Sequence, residues 1–294
     1  MHRGSAPLEG AALIEAASGC DLIVSYRQSP APSALFERLP NLVAFLRCAV
    51  DIRNVDVDAA NRAGVLVTQA SAGFVPAVSE LVVGFLVDLS RGVSRAAAEY
   101  HAGRVPAAST GRELRGSTLG IIGYGAIGRE LSRVAKALGM RVLVNDPYVK
   151  DAEQTSFDVL LAQSDYVVPL AVATPETENL MNEAAFAKMK PGAYFINVSR
   201  GNLVDEAALA RALDAGRIAG CALDVGRAPD QMPKPALAAR ADVIATPHTA
   251  GLTLPAIEHQ SLETVVQAAE ILKGRAPKGA VNAQHWTRKG LLKP

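Results

Sequence analysis

Short apolar runs alternate with segments of helical period along almost the whole chain. The runs are "DLIVS" (21–25), "LVAFLR" (42–47), "VLVT" (65–68), "TLGIIG" (118–123), "RVLVND" (141–146), "DYVVPLAV" (165–172), "AYFINV" (193–198), "IAGCALD" (218–224) and "DVIATP" (242–247). They are apolar on both alternating faces, as strands of a parallel sheet covered by helices on both sides must be. Between them, Leu131, Val134, Ala135 and Leu138 recur at i, i+3, i+4 and i+7, and Leu209, Ala212 and Leu213 follow Asp205, a side chain suited to cap a helix N-terminus. The pattern predicts an α/β, doubly wound architecture.

A long helix is predicted from about Val75 to His101. It is followed by "AGRVPAASTGRELRGS", a polar stretch without period, and then by a new sheet. Near the other end, "AIEHQSLETVVQAAEILKG" sets Leu262, Val265, Val266, Ala269 and Leu272 on one helical face and stops at Gly274. That helix reads as a return crossing. The expected division is residues 1–90 plus 256–294 in one domain, with residues 91–255 inserted as a second.

Composition narrows the partners. A chain of 294 residues, 49% hydrophobic, can bury two cores. Thirty basic residues against 29 acidic ones leave +1, with no block of like charge. Neither nucleic acid nor a membrane is therefore an expected partner, and the ligand is expected to be small. Cys20, Cys48 and Cys221 are odd in number, far apart and without a CxxC motif, which argues against a disulfide frame and against a metal site and fits a reducing cytoplasm. The start carries Glu9 and Glu15 and lacks a continuous apolar core, so no targeting segment is expected; "LVVGFLVDL" is too short to span a bilayer.

"LGIIGYGAIGRE" contains Gly123, Gly125 and Gly128 in G-x-G-x-x-G spacing. The motif follows an apolar strand and opens an amphipathic helix, and the next strand ends at Asp146, 18 residues beyond the last glycine. That context is the dinucleotide fingerprint, which wants an acid about 20 residues on. Gly123 suits the tight turn, Gly125 close approach of a pyrophosphate, and Gly128 helix-to-strand packing. Asp146 would accept ribose hydroxyls and repel a 2′-phosphate, favouring NAD over NADP, with Lys150 nearby as a counter-signal.

Three further strand ends carry polar residues at the carboxyl edge, where parallel sheets bind ligands: Arg200, Asp224 and His248. Singly, each has a structural reading as a turn cap, an N-cap or a carbonyl-bonded histidine. Jointly, beside a dinucleotide site, a cation to hold a carboxylate and an acid to protonate a carbonyl oxygen suit hydride transfer to a 2-keto acid.

The blocks "LGIIGYGAIGRE", "VLVNDPY", "TPETENLMN", "FINVSRGNLVDEAAL", "GCALDV" and "VIATPHTAG" fall in this order between about residues 65 and 275 and resemble the D-isomer-specific 2-hydroxyacid dehydrogenases. The resemblance implies a Rossmann nicotinamide-binding domain inserted into a smaller flavodoxin-like substrate domain, closing around a 2-keto acid, usually as a homodimer. Carried over by motif, Arg200 binds the substrate carboxylate and carbonyl, and His248 is the proton donor. Asp224 lies by the nicotinamide carboxamide, and Gly123, Gly125, Ala126, Ile127, Gly128, Asp146, Thr174 and Ser199 join it around the cofactor. Ala49 and Val50 meet the substrate with Arg200 and His248.

Three places depart from that pattern. A glutamate usually follows the "LDV" block in an E-P pair and orients the histidine; here "LDVGRAPDQMP" has Pro229 near that place. Asp230 is the expected catalytic partner of His248, with Gln231 as the neutral alternative, similar to the formate dehydrogenase branch. The loop that grips the substrate carboxylate usually contains glycine but reads "RCAVDIRNVD" (47–56). Either Asp51 faces the pocket and opposes an anionic substrate, or it turns to solvent; Arg47 and Arg53 are the candidates to compensate. The chain also opens late for this family. Lacking the usual strand, helix and strand before a helix at Leu8 to Ala17, "DLIVS" has an unpaired edge, either because the start is set too far downstream or because a partner subunit or the tail covers it.

A reading from another class is an NAD(H)-binding sensor or corepressor. Such a protein needs the fingerprint but neither Arg200 nor His248, so their joint presence favours turnover.

Overall fold

The computed structural model describes residues 7–26, 28–228 and 230–292. The chain divides into two compact units, Met1–Gly73 with Leu254–Pro294, and Phe74–Thr253. Every apolar run overlaps a strand, and every strand pair is parallel.

In the first unit, β1 (Leu22–Ser25), β2 (Ala44–Arg47) and β3 (Leu66–Gln69) lie in that order, in the register Leu22↔Ala44↔Leu66. The helices α1 (Gly10–Ala16), α2 (Ser33–Arg38) and α3 (Val57–Ala63) supply apolar cover. Phe36, Leu42, Phe45, Ala60, Val65 and Val67 fill one side of the sheet, and Val43, Leu46, Leu66, Ile271 and Trp286 fill the other. Asp56 caps α3 by accepting the amide of Ala59 at 2.9 Å. The tail closes the outer edge of β3, where Val281 donates to the carbonyl of Val67 at 2.8 Å. Among the described strands β1 pairs with β2 alone, and Val24 on it is 60% exposed.

The second unit opens with α4 (Val75–Arg91) and α5 (Val93–His101). The single helix expected here is broken at Gly92, whose φ of +65° ends the helical path. The carboxylate of Asp88 receives the amide of Ser94 at 2.8 Å beyond the break. The chain then runs through β4 (Thr118–Ile122), α6 (Ala126–Ala137), β5 (Arg141–Asn145), α7 (Phe157–Gln163), β6 (Tyr166–Pro169), α8 (Glu183–Lys188), β7 (Tyr194–Asn197), α9 (Glu206–Asp214), β8 (Gly220–Leu223), α10 (Pro235–Ala238) and β9 (Val243–Ala245). The sheet order is β5-β4-β6-β7-β8-β9. One face packs Leu119, Ile121, Val168 and Ile196 on Leu131 and Ala135; the other packs Val167, Phe195 and Cys221 on Leu160, Phe186 and Leu209. This is the doubly wound architecture expected.

The compact units divide at 73/74, not near residue 90. Val78, Val82, Phe85 and Leu86 of α4 share one apolar cluster with Leu119, Ile121 and Leu131, so the helix belongs with the second sheet. The return to the first unit comes at Leu254, two residues earlier than expected.

The final long helix, α11 (Leu254–Leu272), reverses the sequence pattern. The stripe Leu262, Val265, Val266 and Leu272 is exposed, whereas Gln260, Thr264, Gln267 and Ile271 are buried. Gln267 uses both of its donors and its acceptor oxygen: Thr68 Oγ1 donates to it at 2.8 Å, and its amide group donates to the carbonyls of Gln69 and Lys278 at 2.9 and 3.1 Å. Thr264 donates back to the carbonyl of Gln260 at 2.7 Å. Hydrogen bonding of Gln267, together with burial of Ile271 and Ala256, sets the orientation of this helix against the pull of its larger apolar stripe. Among the described residues no helix is long and apolar enough to cross a membrane.

Candidate active site

The strand order reverses between β4 and β6, and the crevice beyond their carboxyl ends is where doubly wound sheets take ligands. The fingerprint lies there. Gly123 has φ +96°, and a Cβ on it would sit 2.5 Å from the amide nitrogen of Ala171 after β6, so only glycine fits. A Cβ on Gly128 would meet the Gly123 carbonyl oxygen at 2.5 Å, which lets α6 close onto the loop. Gly125 has nothing within 4 Å of its Cβ position and supplies no side-chain cap to α6. The first-turn amides, beginning with Ala126 and Ile127, are thus left for an anion.

Asp146, just past β5, is tied over this loop. Its Oδ2 accepts the amide of Tyr124 at 2.7 Å and its Oδ1 that of Tyr148 at 3.0 Å. Each oxygen keeps a lone pair for a ribose hydroxyl. An open glycine, free helix amides and an acid at the second strand end fit a dinucleotide with its pyrophosphate on α6. After β6, Thr174 opens a short 3-10 turn and donates its amide to Thr177 Oγ1 at 2.8 Å.

Arg200, Asp224 and His248 follow three adjacent strands, β7, β8 and β9, held in register by Asn197↔Leu223 and Leu223↔Ala245. Buried Asn197 fixes the first of these ends: its Nδ2 donates to the Arg200 carbonyl at 2.9 Å and its Oδ1 accepts the Ser199 amide at 3.1 Å. Ser199 Oγ reaches the carbonyl of Ala171 at 3.3 Å, and Arg200 Nη1 donates to the Ser199 carbonyl at 2.7 Å. Gly201 packs against Gly226 so closely that a Cβ would lie 2.2 Å from the Gly226 carbonyl. The glycine after Arg200 is therefore a packing requirement.

Asp224 is fully buried. Its Oδ1 accepts Thr246 Oγ1 at 2.6 Å and the Thr249 amide at 2.8 Å, and its Oδ2 accepts the Ala250 amide at 2.9 Å. These contacts enclose His248, which is half-buried and holds φ +54°, a left-handed conformation unusual for a non-glycine residue. The sequence flagged Arg200, Asp224 and His248 but not Asn197, which fixes the turn at Arg200, nor Thr246 and Thr249, which bond Asp224 on either side of His248. The only signal was their position beside the motif residues.

Asp230 is exposed and accepts the Met232 amide at 3.0 Å, and Gln231 takes φ +63° in the same turn. Pro229 lies outside the described residues. Ala49 and Val50 belong to the first unit, in the loop after β2; Ala49 is buried and its carbonyl accepts the Ala70 amide at 3.0 Å. Asp51 is paired with Arg53 at 2.6 Å, so its charge is balanced within the loop. Arg47 is fully buried, donating to the carbonyls of Tyr26 and Ser29 and to Asn54 Oδ1, and burial draws its pKa down to about 10.

A doubly wound sheet with this fingerprint at its switch point defines a dinucleotide-binding protein of the Rossmann class. Residues 83–250 match the family model for the D-isomer specific 2-hydroxyacid dehydrogenase, NAD binding domain. The chain belongs to that family. It is 37% identical over 245 residues to D-3-phosphoglycerate dehydrogenase 2, chloroplastic, of Arabidopsis thaliana, an alignment covering 81% of this chain and 39% of that protein. The chain spans about two-fifths to one half of the curated relatives it matches. Among solved structures, apo D-lactate dehydrogenase from Escherichia coli superposes with a TM-score of 0.83 at 30% identity, covering 91% of this chain and 88% of that one. D-Lactate dehydrogenase from Aquifex aeolicus, complexed with NAD and lactic acid, has a TM-score of 0.77 at 28% identity, covering 89% and 85%.

Proposed function

We propose that this protein is an NAD-dependent, D-specific oxidoreductase that moves a hydride between NAD(H) and a small 2-keto or 2-hydroxy acid. One observation carries the reading: Arg200, Asp224 and His248 stand at the ends of three adjacent strands on the carboxyl edge of the sheet that bears the fingerprint. Bound nicotinamide supplies or receives the hydride.

The guanidinium of Arg200 pairs with the substrate carboxylate and draws charge from the carbonyl oxygen. His248, as imidazolium, gives its proton to that oxygen as charge develops there; in the reverse direction the neutral ring takes it back. Asp224 acts through His248 by holding residues 246–250. Ala49 and Val50 lie in the loop proposed to meet the carboxylate, and the Asp51–Arg53 pair keeps that loop from repelling it. Asp230 is the carboxylate proposed to orient His248, with Gln231 as the neutral substitute. A homodimer in the cytoplasm belongs to the same proposal.

The test is NADH oxidation against a panel of 2-keto acids from glyoxylate to branched and aromatic acids, with Arg200→Ala as control. Removing one electrostatic stabiliser is expected to cost about two to three orders of magnitude in turnover while NADH still binds. Loss of NADH binding in that variant would sink the role given to Arg200. Binding without turnover in the native protein would favour an NAD(H) sensor.

A further inference from the structure

Beside Asp146 sits a second, unassigned charge arrangement. Arg129, in the first turn of α6, meets Asp151 end-on, with Nη1 to Oδ2 and Nη2 to Oδ1 both at 2.8 Å. Its guanidinium lies over the ring of Tyr124, 4.9 Å from the centroid. Tyr124 is the middle residue of Gly123-Tyr124-Gly125, and its amide is the one that Asp146 holds. Arg129, Tyr124, Asp146 and Asp151 therefore form one patch at the adenosine end of the fingerprint. The hydrogen bonds to Asp151, helped by its charge and more weakly by that of Asp146, keep the guanidinium more basic than usual. Gln154 braces the loop that carries Asp151, accepting the Asp146 amide at 2.9 Å and donating to the Val149 carbonyl at 3.0 Å.

A planar guanidinium fork matches a phosphate as well as it matches a carboxylate. Stacked on Tyr124 beside the ribose-binding acid, Arg129 is placed to receive a 2′-phosphate, and Asp151 occupies both of its terminal nitrogens. We propose that Asp151 is a second determinant of cofactor choice, engaging Arg129 so that a dinucleotide with a free 2′-hydroxyl is accepted and one with a 2′-phosphate is refused. A 2′-phosphate, carrying about −1.5 to −2 charge, would face two carboxylates with the cation between them already neutralised. This deepens the reading of the site as one for NAD, and rests on it.

The experiment is calorimetric titration of the whole chain with NADH and with NADPH. The variants are Asp151→Ala, Arg129→Ala and the double variant, each checked by its melting temperature. An exposed pair of this kind contributes little to stability, so all are expected to fold. Asp151→Ala should tighten NADPH about tenfold, the effect of removing one unit charge a few ångströms away, and leave NADH within about twofold. Adding Arg129→Ala should abolish the gain. Unchanged NADPH affinity in Asp151→Ala overturns the proposal, and so does a gain that survives loss of Arg129, since it would then be general charge relief. If native protein binds neither nucleotide, the NAD reading falls along with it; if it binds NADH and Asp151→Ala has no effect, only this inference falls.

Discussion

Asp224 accepts the backbone amide of Thr249 at 2.8 Å, one residue beyond His248. A buried carboxylate thus organises the loop that presents the proposed proton donor. Asp224→Asn turns one acceptor into a donor facing Thr246, Thr249 and Ala250, which are all donors. The expected outcome is a loss of about 1–3 kcal/mol in urea unfolding. Turnover should fall by a larger factor than NADH affinity; equal losses in both would argue that Asp224 merely supports the fold.

The roles of the first two fingerprint glycines separate cleanly. Gly123→Ala forces a left-handed residue against Ala171 and should cost about 1–3 kcal/mol of stability. Gly125→Ala has room and ordinary backbone angles, so stability should stay within about 0.5 kcal/mol. NADH affinity in that variant should nonetheless drop, because the added methyl takes the space left for the pyrophosphate. Thermal melts and NADH titration of both variants check this; normal affinity in Gly125→Ala would move the pyrophosphate elsewhere.

On α11, polarity inverts the usual expectation for a helix. Val265→Lys should leave the melting temperature nearly unchanged, since Val265 is 65% exposed. Gln267→Leu adds apolar volume but strands Thr68 and two carbonyls, and should destabilise by about 2–4 kcal/mol. A destabilising Val265→Lys would show that something covers this stripe in solution.

Glu270, near the end of the same helix, pairs with Arg275 at 2.6 Å and Lys273 at 3.0 Å, which draws its carboxyl from 4.5 down to about 2. Because the folded value is the lower one, the contribution is complete above pH 4.5 and is lost as pH falls towards 2. In urea melts at several pH values, the stability gap between native protein and Glu270→Gln should be constant near neutrality and close with acid. Raising ionic strength should shrink it throughout, as the group is exposed.

The apolar runs by themselves determined the nine strands among the described residues and the parallel, doubly wound class, because strands buried on both faces leave a continuous hydrophobic trace. Spacing determined the fingerprint and Asp146, because a tight strand-to-helix turn restricts residue choice within a few positions. What only the tertiary structure decided involves residues far apart in sequence. Val75 to Arg91 reads as a helix wherever it packs, and its membership of the second unit depends on Leu119, Ile121 and Leu131. The apolar stripe of α11 pointed the wrong way, since nothing local reveals that Gln267 meets Thr68 across 199 residues. Arg129 and Asp151, 22 residues apart, become neighbours of Asp146 only when α6 and the loop after β5 fold against the same glycine turn. Local pattern fixes the elements; the hydrogen bonds and charges that tune the site are made between them.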